Sequence, residues 1–189
     1  NTSDDTRDLY AQWSTSYDQE VAENGYATPS RAAKALASHV EDLRTPVLDY
    51  GCGTGLSGMA LRKVGFSNLH GIDVSKEMVT IAKEKKAYQT LRVFDPDAEP
   101  PLKTGEFEII TAIGVIGIGA APLTIFDTII SLLVPGGLFA FSFNDHTLAD
   151  PAFEAKVSDS VDTGEAKLIL REYGDCLLYT SPSPRDVEE

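Results

Sequence analysis

From Asp49 to Gly58 the sequence reads D-Y-G-C-G-T-G-L-S-G. Glycines at such spacing let the backbone turn tightly and let a ligand approach main-chain N–H groups at the start of a helix. Gly53, Gly55 and Gly58 also satisfy G-x-G-x-x-G, so a small nicotinamide- or flavin-binding oxidoreductase has to be weighed. Asp49 argues against it, because an acid just before the loop repels a pyrophosphate but can receive an ammonium group. Asp73 ends a later β-rich run, where a carboxylate can take both hydroxyls of a ribose. Asp95 follows Phe94 at the end of a third run. An acid there can accept a bond from an adenine amino group while the apolar neighbour covers the ring. Asp145 and His146 are the titratable pair past the last run, candidates for a base against the plainer reading of a solvated loop. His39 and His70 read as structural, and Lys76, Lys83, Lys85 and Lys86, interleaved with acids, as a solvated helix face.

The elements that must position these groups follow from periodicity. Val47–Tyr50, Leu69–Asp73, Thr90–Phe94, Phe107–Ile113 and Leu138–Phe143 read as strands, with a sixth expected at Ala166–Arg171. Helical spacing resumes after the glycine loop, after Ser75 as N-cap, over Pro122–Leu133 and around Pro151–Ser160. Upstream, Leu9, Tyr10, Trp13, Tyr17 and Val21 fall on one helix face, and Thr28-Pro29 reads as an N-cap with proline at the first helical position. Strands alternating with helices imply right-handed crossovers and a doubly wound, mostly parallel α/β sheet. The expected organisation is N-terminal helices over residues 1–45, a core over 46–175 and a separate tail over 176–189.

The combination D-x-G-C-G-T-G, G-I-D-x-S, F-D and L-V-P-G-G resembles the class I S-adenosylmethionine-dependent methyltransferases, over about Asp8 to Asp175. Leu9-Tyr10-x-x-Trp13, Tyr17-Asp18, Gly65-Phe66-x-Asn68-Leu69-x-Gly71 and Tyr88-Gln89 further resemble the methyltransferase-like proteins named after the Williams–Beuren syndrome region. The resemblance implies a Rossmann-like fold and S-adenosylmethionine as cofactor. It makes Asp49, Gly51, Cys52, Gly53 and Gly55 the cradle of the methionine part. Asp73 goes to the ribose, Phe94 and Asp95 to the adenine, and Val74 joins the cofactor-binding residues. Tyr17 would cap the methionine end, with the Trp13 helix as a lid. It also implies a closing C-terminal hairpin. That hairpin is expected to be incomplete, because Cys176 to Asp186 resembles translated read-through of a sequencing-library adapter, the mark of a metagenomic fragment.

Composition narrows the partners. Among 189 residues, 16 basic and 29 acidic side chains give a net charge of −13, which repels phosphate backbones and demotes nucleic acid. The least charged stretch, Ile109 to Phe126, carries three glycines and a proline, so no membrane-spanning segment is expected. Two cysteines, Cys52 and Cys176, supply neither a disulfide framework nor a four-ligand metal site, and a reducing cytoplasm fits them. No Asn-Pro-Pro-Tyr motif or Pro-Cys nucleophile is present, and Gly114-Val115-Ile116-Gly117 offers no acid or base. The expectation is methyl transfer to a small molecule or a protein side chain, with a non-catalytic cofactor-binding module or partner subunit as the alternative outside enzymes.

Overall fold

The computed structural model describes residues 27–174. The expected helix bearing Trp13 and Tyr17, and the tail from Cys176, lie outside the described residues. The elements run α1 (Thr28–Ala37), β1 (Val47–Tyr50), α2 (Leu56–Lys63), β2 (Leu69–Asp73), α3 (Lys76–Glu84), β3 (Thr90–Val93), β4 (Ile109–Ala112), α4 (Thr124–Leu132), β5 (Leu138–Phe141), α5 (Asp145–Leu148) and α6 (Pro151–Asp162). The five strands form one sheet of order β3-β2-β1-β4-β5, every pairing parallel. Val47 of β1 registers with Leu69 of β2 on one side and Ile109 of β4 on the other. The chain therefore winds outward from β1 to β3, then crosses back to β4. Ligands of such sheets bind at the carboxyl ends of the strands where the order reverses, here between β1 and β4.

The side-chain period of two splits each central strand between two cores. Val47, Leu69 and Ile109 pack with Ala33 and Leu36 of α1, Leu61 of α2 and Phe66. Leu48, Tyr50, Ile72, Ile110 and Ala112 pack with Phe126 and Ile129 of α4 and Phe153 and Val157 of α6. β1 and β4, covered on both faces, are buried throughout. Phe139, Phe141 and Phe143 share one face, each ring within 5.1 Å of the next.

Two expectations need correction. Thr28 is the first helical residue of α1 rather than its N-cap, which falls on Ala27 with no side-chain capping bond. Ala166–Arg171 forms no strand: Leu168, Ile169 and Leu170 are all exposed, and β5 has a ladder partner only in β4 among the described residues. Apolar β-prone composition is not sufficient where no neighbouring strand completes the ladder. The chain is pinned there by polar contacts instead, Arg171 to Glu154, Glu172 to Arg31 and Tyr173 to Asp145.

Candidate functional site

The glycine loop turns between β1 and α2 through Gly51, Gly53 and Gly55, with φ of +69°, +53° and +93°. These left-handed values are what glycine adopts without steric cost. Gly51 also lacks room for a side chain, since a Cβ would lie 2.7 Å from Cγ2 of Val115 in the segment after β4. The loops at the carboxyl ends of β1 and β4 are thus packed against each other at the reversal of strand order. The N–H groups of Gly51 and Cys52 both donate to the Ile72 carbonyl, at 2.8 and 3.0 Å, fastening the loop to β2.

Asp73 closes this arrangement. One carboxylate oxygen accepts from the Gly53 N–H and the other from the Ser75 N–H, each at 2.8 Å. Ser75 in turn caps α3, its hydroxyl accepting from the Met78 N–H. Burial pushes the Asp73 pKa up, and the Ser75, Gly53 and Val74 N–H groups oppose the shift. A carboxylate has about four acceptor positions, so Asp73 can hold the loop through these N–H groups and still accept from a hydroxyl.

Asp49 stands elsewhere than the sequence suggests. Its carboxylate has no exposed surface and accepts from Ser57 Oγ at 2.6 Å, Tyr88 Oη at 2.5 Å and Thr111 Oγ1 at 2.9 Å. As folded it cannot meet an ammonium group; it ties β1 to α2, β4 and the turn before β3. Burial raises its pKa, the Ser57, Tyr88 and Thr111 hydroxyls pull the other way, and the neighbouring Asp73 charge adds to the rise. An acid with a higher folded pKa binds its proton more tightly when folded. Folding stability therefore falls as pH rises from the ordinary aspartate value of about 3.9 through the folded pKa. Asp49→Asn is expected to lack this descending contribution. Urea midpoints should show the parent losing ground to the variant as pH rises from about 4 through the folded pKa; a difference that does not change with pH would contradict it.

Val74 is exposed and Phe94 half-buried, so apolar side chains flank Asp73 at the ends of β2 and β3. Phe94 packs edge-on against Tyr50, ring centroids 5.8 Å apart, and its N–H donates to the Asp73 carbonyl. Asp95 is exposed and accepts from the Asp97 N–H. The cradle of glycines, the Asp73 carboxylate and the apolar flank fit S-adenosylmethionine, a ligand with an anionic and an ammonium end, a ribose and a flat base. Cys52 is buried, its thiol pKa pushed far up by burial and by the charges of Asp49 and Asp73, which leaves it a packing group. Asp145 and His146 lie exposed on the single turn α5, where the Tyr173 hydroxyl donates to Asp145 at 2.8 Å. Ser57, Tyr88 and Thr111 went unassigned in the sequence. Tyr88 entered there only through the Tyr88-Gln89 pair of the family resemblance.

A parallel sheet of this order, with a glycine loop after β1 latched to an acid at the end of β2, is the arrangement of class I S-adenosylmethionine-dependent methyltransferases, and dinucleotide-binding domains share it. The chain belongs to the family described as "Methyltransferase domain", which matches residues 19–174. It is 34% identical to human Methyltransferase-like protein 27 over 136 residues, 69% of this chain and 54% of that protein. It is 36% identical to the ribosomal protein L11 methyltransferase of Paraburkholderia xenovorans over 99 residues, 51% of this chain and 31% of that one. The chain thus spans about half the length of the first and a third of the second. Among solved structures, a complex between the Haloferax volcanii Trm112 methyltransferase activator and a methyltransferase matches at 27% identity and a TM-score of 0.54, covering 71% of this chain and 58% of that one. The ribosomal protein L11 methylase of Lactobacillus delbrueckii subsp. bulgaricus shares the fold with a TM-score of 0.60 at 23% identity, over 81% of this chain and 76% of that one.

Proposed function

We propose that this chain binds S-adenosylmethionine across the carboxyl ends of β1, β2 and β3 and directs its methyl group to a small-molecule acceptor in the cytoplasm. The observation that carries the reading is the latch of Asp73 on the Gly53 N–H, which sets a ribose acceptor beside a helix-leading glycine loop. The cofactor supplies an electrophilic methyl on a sulfonium, which a nucleophilic acceptor can take by in-line displacement. The chain's part is position and exclusion of water. Gly51, Gly53 and Gly55 hold the methionine part, Asp73 and Val74 the ribose, and Phe94 and Asp95 the adenine. Asp49 and Cys52 support the loop from beneath, without contact. Tyr17 is proposed as the cap at the methionine end. Asp145 or His146 would act as base only for an acceptor that arrives protonated.

The acidic surface favours a small molecule over nucleic acid. A protein substrate is the second reading, because the ribosomal protein L11 methyltransferases named above act on a protein. Among the described residues no helix is long and apolar enough to cross a membrane. Calorimetry of the chain against S-adenosylmethionine, its demethylated product and a nicotinamide dinucleotide tests the reading. Binding of the first two and not the third is expected; binding of the dinucleotide alone would make this an oxidoreductase. Turnover of bound cofactor with an acceptor separates an enzyme from a module that works as the partner of another subunit.

A further inference from the structure

Three glycines border the Tyr88 ring, and one of them is cleared for it alone. A Cβ at Gly58, inside α2, would lie 2.7 Å from Cε2 of Tyr88 and closer to its Cζ and hydroxyl; at Gly55, ahead of α2, it would lie 3.3 Å from Cε2, with Ala82 at 3.4 Å; and at Gly71, inside β2, it would lie 3.1 Å from Cδ1, behind Leu91 Cδ2 at 2.7 Å and Cys52 Sγ at 3.0 Å. The Tyr88 ring fills the wedge between the base of α2 and the sheet, and its hydroxyl continues to Asp49, 2.5 Å away. The same Asp49 oxygen takes the hydroxyl of Ser57 in the first turn of α2. A residue between α3 and β3 thereby meets both ends of the glycine loop's support, the strand that leads in and the helix that leads out. We propose that Tyr88 is a positioning residue of the cofactor site, its ring and hydroxyl together holding the glycine loop in the geometry that receives S-adenosylmethionine. This rests on the cofactor reading above.

Packing alone would leave the hydroxyl without consequence, and the environment of Asp49 says otherwise. Facing it are Ser57 from α2, Thr111 from β4, Tyr88 from the turn before β3, the charge of Asp73 from β2 and the thiol of Cys52 in the loop. Tyr88 is one of the donors that favour the ionised carboxylate. Without it Asp49 takes up a proton at higher pH. A protonated carboxyl is itself a donor and a weaker acceptor, so its bonds to the Ser57 and Thr111 hydroxyls weaken. The support of the first turn of α2 then becomes pH-dependent in a range where the parent's is not.

Tyr88→Phe keeps the ring in the wedge and removes only the hydroxyl. Calorimetry with S-adenosylmethionine from about pH 5 to about pH 8 should give binding about tenfold weaker at neutral pH, the lower end for a hydrogen bond to a charged group. The loss on acidification should begin at higher pH than in the parent. Parental affinity with the parental pH profile would overturn the proposal. If the parent itself binds no S-adenosylmethionine, the cofactor reading fails, and hydrogen exchange of the Gly53 and Gly55 amides in the ligand-free chain decides about Tyr88. Faster exchange in Tyr88→Phe supports the positioning role, and equal protection refutes it. If Tyr88→Phe does not fold, the Tyr88 hydroxyl proton of the parent is followed by NMR. A shift on adding S-adenosylmethionine is expected, and an unmoved resonance refutes the coupling.

Discussion

Asp73→Ala is expected to weaken binding of S-adenosylmethionine by about 1.5–3 kcal/mol, the range for hydrogen bonds to a charged group, roughly ten- to a hundred-fold or more in Kd. Two losses combine. The ribose loses its acceptor, and the Gly53 and Ser75 N–H groups lose theirs, so the loop and the start of α3 are no longer latched together. Asp73→Asn separates them in part, because its amide oxygen can keep one of the two backbone bonds while its NH2 group must face the other donor. The alanine variant should bind worst, the asparagine variant less badly, and both should unfold cooperatively. Calorimetry with S-adenosylmethionine beside urea denaturation reads both effects. Unchanged affinity in Asp73→Ala would mean that the cofactor sits elsewhere on the sheet.

The sheet was legible because its strands are short β-rich runs with helices between them, and a parallel sheet buries both faces of its central strands. Val47–Tyr50 and Phe107–Ile113 announce this burial in composition alone. The roles of the acids were less legible, because type and spacing do not reveal which way a side chain points. Asp49, next to last in β1, and Asp73, last in β2, both lie beside the glycine loop, yet Asp49 falls on the face under α2 and is enclosed by three hydroxyls, whereas Asp73 reaches the loop amide. A strand's alternation would place Asp49 with Val47, on the side packed by α1 and α2. The role of Tyr88, which the sequence offers only as part of a resemblance, was hidden for a different reason. Its partners Gly55, Gly58, Gly71 and Asp49 are far apart in sequence and converge only when α2 lies down on β1 and β2.

Gly58→Ala carries that convergence to its strongest consequence. In a helix, alanine is ordinarily better than glycine by about 1 kcal/mol, so on helix propensity alone the substitution should stabilise α2. If Gly58 were kept only for close approach of a ligand, the fold should tolerate the change and binding alone should suffer. The geometry predicts the opposite balance. The new Cβ would stand 2.7 Å from Cε2 of Tyr88, nearer still to Cζ and the hydroxyl, so the ring must leave the wedge or α2 must lift from the sheet. Overpacking of this kind costs about 1–3 kcal/mol, and a displaced hydroxyl also strips a donor from the buried Asp49 carboxylate. Gly58→Ala is therefore expected to lower stability in urea with no ligand present. Tyr88→Leu, which shortens the offending side chain, should absorb part of that loss. The double variant should then be more stable than the sum of the single effects allows, by about 0.5–3 kcal/mol, the span seen for residues in contact. Tyr88→Phe should give less relief at position 58 than Tyr88→Leu, because it removes the colliding hydroxyl but leaves Cζ and Cε2 in place. Strict additivity between Gly58→Ala and Tyr88→Leu would show that the glycine is not kept for the tyrosine.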